Sequence, residues 1–400
     1  AIFGKKADKS GMSSFQALAT AVAAQVGTGN VAGAATAIVA GGPGALFWLW
    51  VAAFFGMATI FAEAVLAQTY RGVNAQGHVV GGPAFYMRQG LGEKFKPMAI
   101  FFSVVAVLTM GFTGSLVQSN TVSHALNEAF GIPLLASGIG VAIVSGLVFF
   151  GGMGRLASVA EKIVPFMAGI YIVGGTFVLV THYDQIIPAF ELIFTAAFYP
   201  EAVGGGALGL TVAKAMQFGV ARGLFSNEAG MGTTPHAHAV AKVEHPAEQG
   251  LVAIFGVFST VVIVTLTVLV ILVTGVMDFS TTGIALTQKA YSVGLGSIGV
   301  GFVAICLFFF AYSTIIAWYF FSEQNVRYLF KNKGITLYRL FVCACLVVGA
   351  VTQVNLVWSI SDLFNGIMVI PNVIALVLLH KVVGNSLKDF EEKLKAKRLR

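Results

Sequence analysis

Long apolar runs recur along the whole chain, each bounded by charge, glycine or proline. A helix that crosses a bilayer needs roughly 20 apolar residues. The pattern therefore predicts ten spans, at about 12–39, 44–70, 97–129, 133–151, 162–181, 206–240, 248–275, 296–323, 335–351 and 355–380, the sixth of them interrupted. Residues 81–92 (GGPAFYMRQGLG) are too short and polar to span and are candidates for the interface, as are 186–199 and 281–293. No polar stretch is long enough for a soluble domain, so residues 1–400 read as one membrane domain ending in a tail at 381–400.

Composition narrows the class further. Hydrophobic residues make up 57% of the 400 and charged residues only 10%, whereas a soluble domain carries about 25% charge. Too little polar surface remains to cover a soluble protein of this size. A soluble enzyme, a disordered chain and a secreted disulfide scaffold are excluded. Cys306, Cys343 and Cys345 lie in apolar runs and have neither metal nor disulfide spacing.

The net charge of +7 is accounted for by topology rather than by nucleic acid. With the start cytoplasmic, the inside segments hold 21 of the 24 Lys and Arg: Lys5, Lys6 and Lys9, four from Arg71 to Lys96, Arg155, Lys162, Lys242, four from Arg327 to Arg339, and seven beyond 380. The outside segments hold only Lys289, while Lys214 and Arg222 fall inside the sixth span. This is the positive-inside asymmetry, and one missed span would scramble it. It places the C-terminus in the cytoplasm, where the charged run from Lys388 to Lys397 continues as a helix against anionic headgroups. Asp184, Glu191, Glu201 and Asp278 fall outside.

Glycine breaks two of the spans. The first contains Gln25-Val26-Gly27-Thr28-Gly29-Asn30 and then Gly33; the sixth contains Ser226-Asn227-Glu228-Ala229-Gly230-Met231-Gly232-Thr233-Thr234-Pro235. The breaks are about 200 residues apart, half the chain, and each opens a block of five spans. Five is odd, so the second block enters the membrane from the opposite side. The expected arrangement is an inverted repeat, with repeat one at about 12–181 and repeat two at about 206–380. A discontinuous helix at matched positions points to the midplane site of a secondary transporter. Half-helix N-termini offer N–H groups to an anion and C-termini offer carbonyls to a cation. A small zwitterion suits both. Packing alone is the ordinary explanation of a single Gly29/Gly33 pair; two breaks, each flanked by Asn and Thr, favour transport.

The segment QVGTGNVAGAATAIVAGGPGALFWLW (25–50), with Gly56 beyond it, and the stretch GLFSNEAGMGTTPHAHA (223–239) resemble the alanine or glycine:cation symporter family, the sodium:alanine symporters of prokaryotes. Leu49 stands where that family usually has Met, a volume-conserving exchange. The resemblance runs along essentially the whole chain. It implies an all-α membrane protein with the leucine-transporter-type five-plus-five inverted repeat and discontinuous first and sixth helices. It also implies a further helix upstream, and a prokaryotic plasma membrane. By position it puts a sodium ion between the carbonyls of Ala23 and Val26 and the hydroxyls of Ser313 and Thr314. Asn30 matches the side chain of a second ion position in some relatives.

For the amino acid, the amides of Gly27, Thr28 and Gly29 are assigned to the carboxylate, and groups around Phe225, Ser226 and Asn227 to the ammonium. Gln118 is an additional contact, and Phe225 or Trp318 caps the pocket. Glycine backbone and aromatic caps leave room for a small side chain. The resemblance supplies alanine and glycine.

Ionisable residues inside spans are functional hypotheses by default. Glu63 is a structural partner, an interfacial residue or a functional one; Glu228 binds the ammonium, caps a half-helix or gates, with a structural or coupling role favoured. Asp362 is opposite in sign to Lys214 and Arg222 and is a partner for either. His236 and His238 are read as loop residues rather than a metal pair, for want of a third ligand. There is no GxSxG and no ordered triad, and Gly27-x-Gly29-Asn30 follows no strand and precedes no Lys, so it is not a nucleotide loop. No repeated filter or charged ring suggests a channel. The remaining rival is a transporter of the same fold with another substrate, or with protons as driver.

Overall fold

The computed structural model describes residues 11–74, 77–199, 211–278, 280–331 and 333–398. Lys5, Lys6, Lys9, Glu201, Arg400 and residues 206–210 of the expected sixth span lie outside the described residues.

Every expected span corresponds to a helix or a helix pair. The first begins at a capping box, in which the Ser13 hydroxyl accepts from Gln16 N and the Gln16 side chain accepts from Ser13 N. Helix α1 (Ser14–Gln25) stops at Val26, whose backbone is no longer helical. The chain resumes as a π-turn over Gly29–Gly33 and continues as α2 (Ala34–Gly41), bent 48° from α1. Helix α3 (Ala45–Thr69) is the second span. A short hairpin, β1 (Gly72–Val73) against β2 (Val79–Val80), and α4 (Pro83–Leu91) lead to α5 (Lys96–Ala106), a second π-turn and α6 (Gly114–Phe130).

Next come α7 (Leu134–Phe149), α8 (Gly152–Thr181), α9 (Ile186–Phe198) and α10 (Val212–Asn227). Helix α10 ends in the second break, and α11 (Pro235–Ala239) follows it. The rest is α12 (Pro246–Val273), α13 (Gly283–Leu295), α14 (Gly299–Phe330), α15 (Ile335–Val351), α16 (Val354–Leu378) and the tail helix α17 (His380–Arg398). All three interfacial candidates are helices, namely α4, α9 and α13. The fifth span starts earlier than expected because its N-terminal end, with Arg155, Glu161 and Lys162, stays helical; Glu161 accepts from Gln16 of α1 at 2.9 Å.

Among the described residues six helices are long and apolar enough to cross a membrane, the bent pair α1/α2 makes a seventh, and α7 and α15 are shorter apolar helices. Helix α3 packs on α10 and α12, and α15 packs on α6 and α7. Helix α1 touches α8, α12 and α14. Large apolar side chains such as Phe54, Phe55, Leu147, Val173, Ile187 and Leu363 face outward. Surfaces of that kind are covered by lipid rather than water.

Candidate functional site

The two breaks meet. The Asn30 side chain does two jobs at the first: its Oδ1 accepts the Gly27 N–H at 3.0 Å, and its Nδ2 donates to Ser226 Oγ, near the end of α10, at 2.8 Å. The Thr28 N–H donates to Gln118 Oε1 on α6 at 3.3 Å. The glycines are required by space rather than by torsion. A Cβ on Gly27 would stand 2.4 Å from Thr314 Oγ1, and one on Gly29 would stand 2.7 Å from the Phe225 ring.

At the second break, Glu228 ends α10 with a left-handed backbone (φ 56°), and Gly230 and Gly232 are left-handed too. The Glu228 carboxylate is buried and accepts from Trp318 Nε1 and Thr233 Oγ1. The buried amides of Gly230 and Gly232 donate to Glu63 of α3, which also accepts from Asn372 Nδ2 of α16 at 2.6 Å. Asn372 in turn accepts from the Tyr86 hydroxyl on α4. In a lipid-like interior each of those amides would otherwise go unpaired. Glu63 thus serves as a structural partner, and Glu228 is held by protein donors while it lines the cavity below.

Gly27, Gly29, Asn30, Gln118, Phe225, Glu228 and Trp318 enclose a cavity of about 10 Å³, room for about one water. An α-amino acid is larger than this, so the lining must open to admit one. Phe225 is 6.1 Å from Trp318 and 5.4 Å from Trp358 between ring centroids, and Trp358 lines a larger cavity of about 560 Å³. Over Trp358 sits the Arg222 guanidinium, 4.8 Å from the ring centroid, paired through both nitrogens with Asp362 at 2.9 Å. Of the two basic partners considered for Asp362, the structure selects Arg222.

Five uncharged oxygens gather where the end of α1 meets α14. Thr314 Oγ1 lies 2.9 Å from the Ala23 carbonyl, 3.3 Å from that of Ala24 and 3.0 Å from that of Phe310. Ser313 Oγ lies 3.3 Å from the Ala23 carbonyl and 2.9 Å from that of Phe310. The set fits a hard monovalent cation, which takes oxygen ligands, and it sits at the carbonyl end of α1, where the helix dipole is negative. The hydroxyls reach Ala23 and Ala24; Val26, also expected there, is buried at the C-cap of α1. Sequence reasoning missed the Phe310 carbonyl, which carries no side-chain signal.

His236 and His238 are not on a loop. Both are buried in α11, His236 between the Thr233 carbonyl and Asn325, and His238 against Gln249. No cluster of metal-ligating side chains occurs among the described residues.

The sodium:alanine symporter family model matches residues 1–400. The chain belongs to that family. It is 44% identical over 388 residues to the sodium/alanine symporter AgcS of Methanococcus maripaludis, covering 95% of this chain and 84% of AgcS. It is 41% identical to a putative sodium/proton-dependent alanine carrier, YrbD, of Bacillus subtilis, covering 98% and 84%. It is 44% identical to a probable sodium/glutamine symporter, GlnT, of the same organism, covering 97% and 80%. The fold matches the crystal structure of MhsT in complex with L-phenylalanine, with a TM-score of 0.68 over 93% of this chain and 90% of that one, at 13% identity. The chain is therefore a multi-pass membrane transporter of the leucine-transporter type, not an enzyme, and it moves an amino acid with a cation.

Proposed function

We propose that the chain is a sodium-coupled symporter of small neutral amino acids, L-alanine and glycine, in a prokaryotic plasma membrane. One domain, built of repeats at about 12–181 and 206–380 with the tail at 381–400 in the cytoplasm, works by alternating access around a fixed midplane site. The observation that carries the reading is the bond from Asn30 to Ser226, which brings the ends of two broken helices to one small cavity.

In this reading the amides of Gly27, Thr28 and Gly29 hold the carboxylate. Groups around Phe225, Ser226 and Asn227 hold the ammonium, Gln118 adds a contact, and Trp318 caps the pocket. Sodium takes the oxygens of Ala23, Val26, Ser313 and Thr314. Cation and substrate then order the same broken helix, so each binds better with the other present, and the coupling is reciprocal.

The test is alanine binding to the purified protein, with sodium and then with choline in its place, and with glycine, glutamine and leucine as competitors. Sodium-dependent binding displaced by glycine but not by leucine or glutamine is the expected result. Binding indifferent to sodium sinks the coupling ion. The rival, a proton-driven transporter or one with another substrate, is favoured by the Glu228 carboxylate at the cavity wall; uptake would then follow pH instead of sodium.

A further inference from the structure

Gln25 is the last residue of α1 and is 2% exposed. Burial in an apolar helix does not call for a carboxamide; leucine would satisfy it. What the amide does is specific. Its Nε2 donates to the main-chain carbonyl of Asn227, the last residue of α10, at 2.7 Å. That carbonyl belongs to the end of a half-helix, where no intrahelical donor remains to meet it. The Asn227 side-chain oxygen meanwhile accepts from Thr260 on α12.

The other end of the carboxamide fits a notch. A Cβ on Gly256 of α12 would lie 2.2 Å from Gln25 Oε1 and 3.1 Å from its Cδ. Glycine there leaves the room that the amide occupies. One side chain therefore touches the first break, the second break and α12. Two residues before it, the Ala23 carbonyl meets Thr314; two residues after it, the Gly27 N–H meets Asn30.

We infer that Gln25 is a positioning residue: its carboxamide, seated in the Gly256 notch, ties the end of α1 to the end of α10, so that the cation side and the amino-acid side of the site shift together. The transport consequence rests on the sodium-coupled reading above. Without the tie, ordering α1 around a cation no longer sets the position of α10, and the coupling between the two ligands falls.

Three variants of the full chain test this: Gln25→Met, Gly256→Ala, and the double variant Gln25→Ala with Gly256→Ala. Alanine affinity is measured with sodium and with choline. Amide hydrogen exchange of peptides covering 23–30 and 226–233 is measured with no ligand added. Gln25→Met nearly keeps the volume and removes the donor. It is expected to cut the sodium enhancement of alanine affinity about tenfold, the loss of one buried hydrogen bond, and to speed exchange in both breaks together. Gly256→Ala displaces the amide and gives the same pattern with Gln25 still present. The double variant refills the notch and regains the melting temperature, but not the sodium enhancement.

A Gln25 that only fills space predicts otherwise. Gln25→Met would then match the parent chain in both readouts, or exchange would rise in one break alone; either result overturns the inference. If the parent chain binds no alanine at all, the substrate reading falls, while exchange at the two breaks still decides the tie.

Discussion

The Glu63 carboxylate accepts the amides of both Gly230 and Gly232, at 3.0 and 2.9 Å, so an acid on α3 closes the break between α10 and α11. The bond is reinforced from α16 by Asn372, which also donates to the Gly230 carbonyl. Glu63→Ala leaves two buried amides without their acceptor, at roughly 1–3 kcal/mol each, and takes from Asn372 one of its two acceptors. The expected outcome is loss of monodisperse protein on size exclusion, or a large drop in melting temperature. Glu63→Gln keeps one carbonyl acceptor but turns an NH₂ toward the other amide, and is expected to fall between the two. A Glu63→Ala protein that melts with the parent would remove Glu63 from this role.

The two glycines of the first break fail differently when substituted. Gly27→Ala drives a methyl into the Thr314 hydroxyl, whereas Gly29→Ala drives one into the Phe225 ring. The first displacement falls on the proposed cation donors and the second on the wall of the proposed amino-acid cavity. Sodium half-saturation is expected to rise at least about tenfold in Gly27→Ala. In Gly29→Ala the alanine KM rises while the sodium response stays close to that of the parent. Titrating each ligand at a saturating level of the other checks this. Identical behaviour of the two variants would mean that the cation and amino-acid regions are not separate.

Much of this was legible in the chain. The spans follow from apolar length, and the breaks from Gly-x-Gly and Gly-Met-Gly inside apolar runs. The pairing of Asp362 with Arg222 was reduced to two partners by sign, since a buried charge needs an opposite one. What stayed hidden has no side-chain signature. The Phe310 and Ala24 carbonyls are backbone groups any residue offers, and the Glu63 contacts go to amides 167 and 169 positions away. His236 and His238 were misplaced because a five-residue helix after a break reads as loop. The Pro235 that begins it serves equally well to start a helix or to end one.

Asn30 serves two partners, which sets its cost. Asn30→Ala strips the acceptor from Gly27 N and the donor from Ser226 Oγ. The loss of two buried partners predicts weaker alanine binding by about one to two orders of magnitude. Asn30→Ser keeps a short hydroxyl that does not span to both, and is expected to recover little. Replacing Ser313 and Thr314 together by alanine removes both hydroxyls from the Ala23 carbonyl. That double variant should bind alanine with little or no response to sodium. Unchanged alanine affinity in Asn30→Ala, or unchanged sodium activation in the double variant, refutes the site assignment.

The Arg222–Asp362 pair is asymmetric, and the asymmetry decides what a charge swap does. The Arg222 side chain is 9% exposed and the Asp362 side chain 47%. The carboxylate lines the larger cavity, but the guanidinium is packed on the face of Trp358. The negative face of an indole attracts a cation and repels an anion. Exchanging the two residues, Arg222→Asp with Asp362→Arg, therefore restores opposite charges yet buries a carboxylate against that face. Uptake is expected to stay far below that of the parent. Arg222→Lys keeps the charge but loses the two-pronged contact and the stacking, so it should raise the alanine KM while leaving the protein folded. Initial rates of labelled alanine uptake into proteoliposomes distinguish these cases. Full recovery by the swapped pair would show that Coulomb attraction alone matters between these helices, and that the Trp358 face contributes nothing to holding Phe225 over the site.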